Sequence, residues 1–391
     1  MKKIFLYSIK GAHPYSSLWT FPSIITAAML IAWAAEAAQF LISQGLALAI
    51  LAWLQTLPEF AVEASIAWNR DIPNMTANLT GSLRLLVGLG WPLIYFVAFF
   101  SHLKKYKKPL LFIKLENEHS VETLFLLPPL IYFIYIYFKG TLTIFDGSIL
   151  IFIYLIYLYV LNKIPPQEEE KLEDVEAIPR RILSLKKRWR NTAIIALFLS
   201  GGLILLFTVE KFVESLKSLA LFMGISEFVF IQWMAPFLSE FPEKVSAINW
   251  ARRIKTAPIA IMNFVSSNIN QWTVLAGSLP FVFSISSKGI VSIPFDSFHR
   301  LEIILTVAQS FLGFIFLINM RFHWYEATAL FTLWFIQFIF PSLREEIFFI
   351  YLFWIGIELM MIIFKTRSIK AFKIFFQISK ENNIFNLNLK K

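Results

Sequence analysis

The sequence predicts an all-α transmembrane protein with two inverted five-helix repeats and one extra C-terminal span, about 11 membrane-spanning helices in all. Three observations predict this fold. The 391 residues are 57% hydrophobic and only 16% charged, the chain contains a series of long apolar runs, and one polar motif interrupts such runs twice. A composition this apolar lies outside the range of ordinary soluble domains.

An apolar run must hold roughly 20 residues to cross a hydrocarbon core of about 30 Å. The predicted spans are 19–42, 46–68, 75–100, 120–138, 143–162, 191–215, 225–250, 257–283, 301–320, 324–341 and 346–364. They form two sets of five plus one. Because five is odd, the second set must begin on the opposite side of the membrane, which makes the repeats inverted.

These spans divide the chain into a first repeat, a charged linker, a second repeat, and an extra span with a basic tail. The predicted boundaries are 1–162, 163–190, 191–341 and 342–391. The linker contains the acidic run QEEEKLEDVE, which could suggest a calcium-sensing loop. It lacks the D-x-D-x-D-G spacing of such loops, so a solvated cytoplasmic linker is favoured.

Lysine and arginine placement predicts the orientation in the membrane. One side collects 24 of the 36 basic residues and the other only 10, which predicts the N-terminus outside and the C-terminus inside. The net charge of +10 comes from clusters flanking apolar runs, so we expect contact with the lipid bilayer and none with nucleic acid. The expected location is the plasma membrane, in a bacterium the inner membrane, as a multi-pass protein.

The sequence gives little support to other classes of protein. The chain has no cysteine, no His-Glu-x-x-His motif, no Gly-x-Ser-x-Gly motif and no phosphate-binding loop, so neither an enzyme nor a cofactor is expected. A signal peptide ending near AWAAEAAQ is an alternative for the first apolar run. That run continues past Glu36, and the second half has a matching Glu210, so a span is favoured.

The repeated polar motif occupies residues 54–90 and 238–277. Pro58 and Glu59 in the first copy match Pro242 and Glu243 in the second. Further matches, all at an offset of 184 to 187 residues, are Asn78 with Asn263, Ser82 with Ser267, and Gly90 with Gly277. Ionisable residues inside a membrane are costly and mark functional sites, and paired interrupted segments in two halves indicate a transporter's binding site.

The motif resembles the alpha-repeat of the calcium:cation antiporters, the sodium/calcium exchanger superfamily. The family pattern is G-T-S-L-P-E followed by G-N-x-x-G-S-N, and it is matched by LQTLPE and ANLTGSL, then by LSEFPE and MNFVSSN. The resemblance implies a secondary active antiporter that exchanges Ca²⁺ or another cation against Na⁺ or H⁺ by alternating access. Inorganic cations are then the partners, and the oligomeric state stays open.

A dehydrated divalent cation needs about six oxygen ligands, carboxylates among them. The predicted ligands are Glu59, Glu243, Thr56, Ser82, Ser239, Ser267, Asn78, Asn263 and Asn268. The serines and asparagines could instead hold helices together through hydrogen bonds. Pro58 and Pro242 are expected to interrupt the helices and free carbonyls nearby.

Several residues depart from the family pattern and are expected to modulate the charge of the site. Arg84 and Lys244 add bases, while Glu63 and Glu240 add acids, which leaves a formal charge of about −2 if all face one cavity. We expect Arg84 to pair with Glu59, Glu63 or Glu243 and to replace a coupling sodium. The two bases also motivate an alternative, a transport-inactive relative with a structural or sensory role.

Overall fold

The computed structural model describes residues 13–41, 51, 53–164, 175–382 and 384. In the first half, the chain forms helices α1 (Ser17–Ala38), α2 (Leu57–Trp68), α3 (Ile72–Leu85), α4 (Trp91–Tyr106), α5 (Ser120–Phe125), α6 (Leu127–Lys139) and α7 (Ile144–Lys163). Short strands β1 (Phe112–Lys114) and β2 (Thr141–Leu142) flank α5 and α6.

The linker contributes α8 (Ala177–Leu183). The second half forms α9 (Lys187–Met223), α10 (Glu227–Ser239), α11 (Phe241–Arg252), α12 (Ala257–Asn270), α13 (Ala276–Ser286), β3 (Ile293–Pro294), α14 (Ser297–Leu317), β4 (Arg321–His323) and α15 (Trp324–Ile339). The chain then adds α16 (Arg344–Ile363) and α17 (Lys370–Glu381).

Seven helical segments of the described chain are long and apolar enough to cross a membrane. They are Pro14–Leu41, Ile72–Tyr106, Asn117–Lys139, Ile144–Lys163, Lys187–Met223, Ser297–Leu317 and Pro341–Ile363. Helices also form in the other predicted spans, but these are shorter, interrupted, or richer in polar residues. Part of predicted span 46–68 lies outside the described residues. The number eleven therefore stays a prediction.

The two halves are joined by two small antiparallel strand pairs. Strand β1 pairs with β4 and strand β2 pairs with β3, so each pair takes one strand from each half. Helices α5 and α6 run between β1 and β2 and make one predicted crossing. The two strand pairs therefore lie at opposite ends of that crossing, as expected if the second half has the opposite orientation.

Helix α1 packs along α9, the first helix of the second half. Near one end of this contact, Thr20 Oγ1 lies 2.8 Å from Ser215 Oγ. Helix α8 of the linker packs against α1, and Glu176 just before it accepts a hydrogen bond from Trp33 Nε1 at 3.1 Å. The backbone amide of Glu176 donates to Glu36 Oε1 at 2.9 Å. The part of the linker around Glu176 is therefore bound to α1, whereas residues 167–174 of the acidic run lie outside the described residues and the solvated linker stays a prediction.

The C-terminal segment is also folded onto the second half. Helix α16 packs against α14, and Arg367 beyond it pairs with Glu326 of α15 at 2.5 Å and with Glu358 of α16 at 2.7 Å. The α17 helix buries Ala371 and Phe375, while its lysines are exposed. The basic tail predicted from sequence thus contains an amphipathic helix.

Candidate functional site

Both copies of the polar motif begin at a break between two helices. In the first half the chain turns at Thr56 before α2, and in the second half it turns at Glu240 between α10 and α11. Pro58 and Pro242 occupy the first turn of the following helix, where no intrahelical partner for an N–H is lost. Glu59 and Glu243 therefore also lie in a first turn, where the helix dipole favours a carboxylate.

Glu59 is fully buried and receives hydrogen bonds from both halves of the chain. Asn78 Nδ2 on α3 donates to Glu59 Oε1 at 2.8 Å, and Ser239 Oγ at the end of α10 donates to Oε2 at 2.5 Å. Glu63, one helical turn beyond Glu59, is fully buried too and accepts from the same Asn78 amide. One asparagine thus links two acids on one face of α2.

Glu243 has an equivalent environment in the second half. Asn263 Nδ2 on α12 donates to Glu243 Oε1 at 3.3 Å, and the Ser267 hydroxyl donates to the same oxygen. Asn263 Nδ2 also lies 3.3 Å from Gln55 Oε1 of the first half. The contact of a glutamate with an asparagine on the next helix therefore occurs in both repeats.

Further hydrogen bonds cross between the halves. Ser82 on α3 donates to Glu240, and Asn270 Nδ2 on α12 donates to Thr56 Oγ1 at 2.6 Å. Asn268 Nδ2 donates to the Leu83 carbonyl at 3.4 Å. The predicted ligands of one motif therefore contact residues of the other motif, and the site belongs to both halves at once.

Gly81 brings α10 close to the predicted site residues of α3. A Cβ atom on Gly81 would lie 1.7 Å from the carbonyl oxygen of Gln232, so a larger residue does not fit. At the equivalent position the second half has Ser266, whose Oγ lies 3.0 Å from the Tyr157 hydroxyl oxygen on α7. The family's glycine is therefore required at the first contact, and a hydroxyl is accommodated at the second.

A π-helical segment follows the motif in each half. These segments are Leu86–Gly90 and Gln271–Leu275, separated by the same 185 residues as the matched asparagines. Such segments change the backbone hydrogen-bond pattern and are frequent at functional sites.

Two glutamine side chains donate hydrogen bonds near these segments. Gln309 Nε2 donates to the Arg84 carbonyl at 2.9 Å, and Gln271 Nε2 donates to Glu240 Oε1 at 2.8 Å.

The base Lys244 pairs with the extra acid of its own motif. Lys244 Nζ lies 2.8 Å from Glu240 Oε2, and both side chains are buried. Glu240 occupies the position of Thr56 in the first repeat, so an acid and a base have been added together here. Lys244 therefore compensates Glu240 and leaves Glu243 with neutral hydrogen-bond donors.

The expected pairing of Arg84 with Glu59, Glu63 or Glu243 is wrong. Arg84 pairs with Glu302 on α14. The physical reason is the helical rotation of about 100° per residue, which turns Arg84 about 200° away from Ser82. Arg84 also donates to Gln337 Oε1 at 3.0 Å.

The site has a more negative formal charge than the −2 obtained when Arg84 is included. The cluster contains four carboxylates and one ammonium, which together give a formal charge of −3. The acids are Glu59, Glu63, Glu240 and Glu243, and the base is Lys244. Such a charge inside a membrane requires compensation by cations or protons.

Several buried oxygens of this cluster have no hydrogen-bond donor within the described part of the chain. In the first half they include Glu63 Oε1 and Asn78 Oδ1, and in the second half they include Glu243 Oε2, Asn263 Oδ1 and Asn268 Oδ1. Buried acceptors without donors are rare and call for an explanation such as a bound ion. Within the described ranges, no group of three or more His, Asp or Glu side chains could hold a metal alone. Amide and hydroxyl oxygens would have to complete a coordination shell.

Comparison with known families identifies the class. A family model described as "Sodium/calcium exchanger protein" matches residues 17–162 and 193–343, which together form most of the chain. Two matched helical halves that share a buried acidic site define a multi-pass membrane protein of the cation antiporter class. The chain belongs to the sodium/calcium exchanger protein family. The predicted family is confirmed, and it is a family of transporters rather than enzymes.

Solved structures agree with this assignment. The H⁺/Ca²⁺ exchanger CAX is 32% identical with a TM-score of 0.84, and the match covers 96% of this chain and 95% of that chain. The sodium-calcium exchanger NCX_Mj, soaked with 2.5 mM Na⁺ and 10 mM Sr²⁺, is 19% identical with a TM-score of 0.54, covering 83% and 97%. Native YfkE is 18% identical with a TM-score of 0.61, covering 86% and 98%. A comparison with curated proteins finds no match.

Sequence reasoning missed several residues that contact the site. Gln55 and Asn270 bind predicted ligands, and Glu302 neutralises Arg84. Glu302 could have been found, because it is an acid near the start of the apolar run 301–320 and the rule for intramembrane charges applies to it. Glu302 lies outside both repeated motifs.

Proposed function

We propose that this protein exchanges Ca²⁺ for H⁺ by alternating access, with Glu59 and Glu243 as the central carboxylate ligands. One observation carries the proposal: acceptor oxygens without donors occur beside both glutamates, at the equivalent residues Asn78 and Asn263. The proposed neutral ligands are Thr56, Ser82, Ser239, Ser267, Asn78, Asn263 and Asn268.

The chemistry of these groups suits a hard divalent cation. Ca²⁺ binds six to eight oxygen atoms from carboxylates, amide carbonyls and hydroxyls or water. In this reading Asn78 and Asn263 use their amide nitrogens to orient the glutamates and their carbonyl oxygens to bind the ion. Glu63 adds a further carboxylate, while Lys244 offsets Glu240.

In this proposal, Ca²⁺ transport is coupled to H⁺ transport because both ions bind the same carboxylates. A glutamate oxygen that binds Ca²⁺ must be ionised, and a protonated glutamate cannot hold the ion as strongly. Release of Ca²⁺ into one compartment is then favoured by protons from that compartment. Alternating exposure of the same glutamates to the two sides makes the exchange obligatory.

Two observations favour protons over sodium as the coupling ion. The resemblance to the family aligns Leu86 and Gln271 with positions where members with sodium sites carry Asn or Asp, and the Leu86 side chain offers no oxygen ligand. In addition, the similar structure at 32% identity is an H⁺/Ca²⁺ exchanger, whereas the sodium-calcium exchanger is 19% identical.

We also propose that the two halves are inverted repeats within eleven spans, with the N-terminus outside and the C-terminus inside. The supporting features are the equivalent helix breaks at Thr56 and Glu240, the two π-helical segments, and the strand pairs between halves. The basic-residue count supports the orientation.

The alternative is a transport-inactive relative with a structural or sensory role. It was motivated by Arg84 and Lys244, which would neutralise the site if they paired with Glu59 and Glu243. Each base instead contacts an additional acid, Glu302 or Glu240. This arrangement favours the transport hypothesis.

The purified protein in proteoliposomes tests the proposal. We expect an imposed pH gradient to drive Ca²⁺ uptake, and an equal sodium gradient at constant pH to drive little. Uptake driven by sodium alone would contradict the choice of protons. Absence of uptake under both gradients, with correctly inserted protein, would favour the transport-inactive alternative.

A further inference from the structure

Glu302 on α14 is a fully buried carboxylate shared by two arginines. Arg84 of α3 contacts its Oε2 atom, and the Nε of Arg344 lies 2.6 Å from Oε1. Gln232 Nε2 of α10 donates to Oε2 at 2.9 Å. This carboxylate therefore accepts hydrogen bonds from α3 and α10 and forms an ion pair with the first residue of α16.

Further contacts surround this carboxylate and fix both guanidinium groups. Arg84 lies over the Trp233 ring at 5.3 Å and donates to Gln337 of α15 at 3.0 Å. Arg344 donates to Gln232 Oε1 at 3.1 Å and lies over the Phe228 ring at 5.5 Å. Helices α3, α10, α14, α15 and α16 are thus joined by one buried network.

This network contacts α3 on the side of the helix opposite Ser82. Ser82 and Arg84 lie two residues apart, so their side chains point about 200° apart around the helix axis. When Arg84 is held by Glu302, Ser82 is directed to the other side, where its hydroxyl binds Glu240. Gln309 of α14 also binds the Arg84 carbonyl, which fixes the backbone at the same residue.

Arg344 comes from outside the matched family region. That region ends at residue 343, and Arg344 is the first residue of α16. The extra helix therefore supplies the second base on Glu302. Within the described part of the chain, Glu302 without Arg344 would keep Arg84 and Gln232 as its side-chain partners.

We propose that Arg344 of the extra helix is a positioning residue for the cation site, acting through Glu302 and Arg84 on the rotation of α3. The inference rests on the proposed cation exchange, with Ser82 as one of its ligands. It gives α16 a role in the affinity for the transported ion. Among the contacts of the described residues, none joins Arg344 to a predicted ligand.

The test compares Arg344→Gln, Arg344→Lys and the matched control Arg367→Gln in the full chain. Arg367 is also a buried arginine of the C-terminal segment with two acidic partners, but these are Glu326 and Glu358. We expect Arg344→Gln to raise the KM for Ca²⁺ by about tenfold while the maximal rate changes less. Arg344→Lys should restore part of the affinity, and Arg367→Gln should leave the KM unchanged.

A second measurement needs no transport. Ser82→Cys in the cysteine-free chain can be modified with a small cationic thiosulfonate, and the rate reports the exposure of position 82. We expect Arg344→Gln to change this rate and Arg367→Gln to leave it unchanged. If the parent protein carries no ion, the proposed function fails, and the modification rate alone decides the positioning role.

An unchanged KM together with an unchanged modification rate in Arg344→Gln would overturn the proposal. An equal rise in KM for Arg367→Gln would also overturn it, because the effect would then come from general destabilisation. If Arg344→Gln is not recovered as folded protein, Arg344→Lys decides: its lysine keeps the charge but cannot bind Glu302 and Gln232 as the guanidinium does. Parent-like values of both quantities in that variant would contradict the positioning role.

Discussion

Ser239 Oγ lies 2.5 Å from Glu59 Oε2, so the hydroxyl that ends α10 in the second half binds the carboxylate that begins α2 in the first. This hydrogen bond between buried groups joins the two helix breaks. Each half therefore contributes one residue to this contact. Substitutions on either side of this contact are expected to act on one shared centre.

We predict that Glu59→Gln and Glu243→Gln each reduce exchange to background while the protein still folds and inserts. An amide preserves the shape of the side chain but removes the charge that offsets a dehydrated cation. Ca²⁺ uptake into proteoliposomes measures the effect. Glu122→Gln is the matched control, because Glu122 is a buried glutamate of α5 outside the two motifs. Near-normal uptake in either motif variant would remove that glutamate from the site.

We predict that Lys244→Gln tightens binding of a divalent cation. Removal of the ammonium leaves Glu240 uncompensated beside Glu243, and a change of about 1.4 kcal/mol would lower the KM about tenfold. Lys217→Gln is the control, since Lys217 pairs with Asp71 at the start of α3. An unchanged KM in Lys244→Gln would show that this ammonium does not act on the transported ion.

The orientation can be tested with two single cysteines. Lys105 at the end of α4 and Lys288 after α13 are both exposed, and they lie near opposite strand pairs. We predict that Lys105→Cys reacts with an impermeant reagent only from inside, and that Lys288→Cys reacts only from outside. Labelling of Lys105→Cys in intact cells would refute the orientation, and labelling of both from one side would refute the inverted arrangement.

Arg84→Asn is predicted to destabilise the fold rather than to change the coupling ion. It breaks a fully buried ion pair, and the loss of one partner from such a pair costs about 3–5 kcal/mol. Thermal unfolding of the purified protein measures the loss. Lys211→Gln breaks the exposed pair with Glu214 and should cost at most about 1 kcal/mol. A stable Arg84→Asn variant with increased sodium coupling would restore the hypothesis that the guanidinium replaces a sodium ion.

The sequence could predict those parts of the site whose residues occur at matching positions in both repeats. Glu59 matches Glu243 at an offset of 184 residues and Asn78 matches Asn263 at 185, and the structure shows the same contact of acid with amide in both halves. Such contacts depend on local spacing along two consecutive helices. These contacts could therefore be predicted from the repeated motif without any knowledge of how the two halves pack.

The parts that sequence could not predict depend on packing between distant elements. The direction of Arg84 follows from the rotation of α3, and its partner Glu302 is 218 residues away along the chain. Because Arg84 lies only two residues from Ser82, the sequence suggested that both side chains face the same site. The rotation of the helix places them on different faces of α3. The proposed role of Arg344 could likewise not be predicted from the sequence. No repeated motif contains Arg344, and its contact with Glu302 forms only when α16 packs on α14.

The contacts of the C-terminal segment also supply buried polar groups of the second half with partners. A chain cut after residue 343 would keep both halves matched by the family, but Glu302 would lose Arg344 and Glu326 would lose Arg367. Gln337 would lose the Tyr351 hydroxyl as well. The buried side chains of Glu326 and Gln337 in the second repeat therefore depend on partners that follow that repeat in the chain.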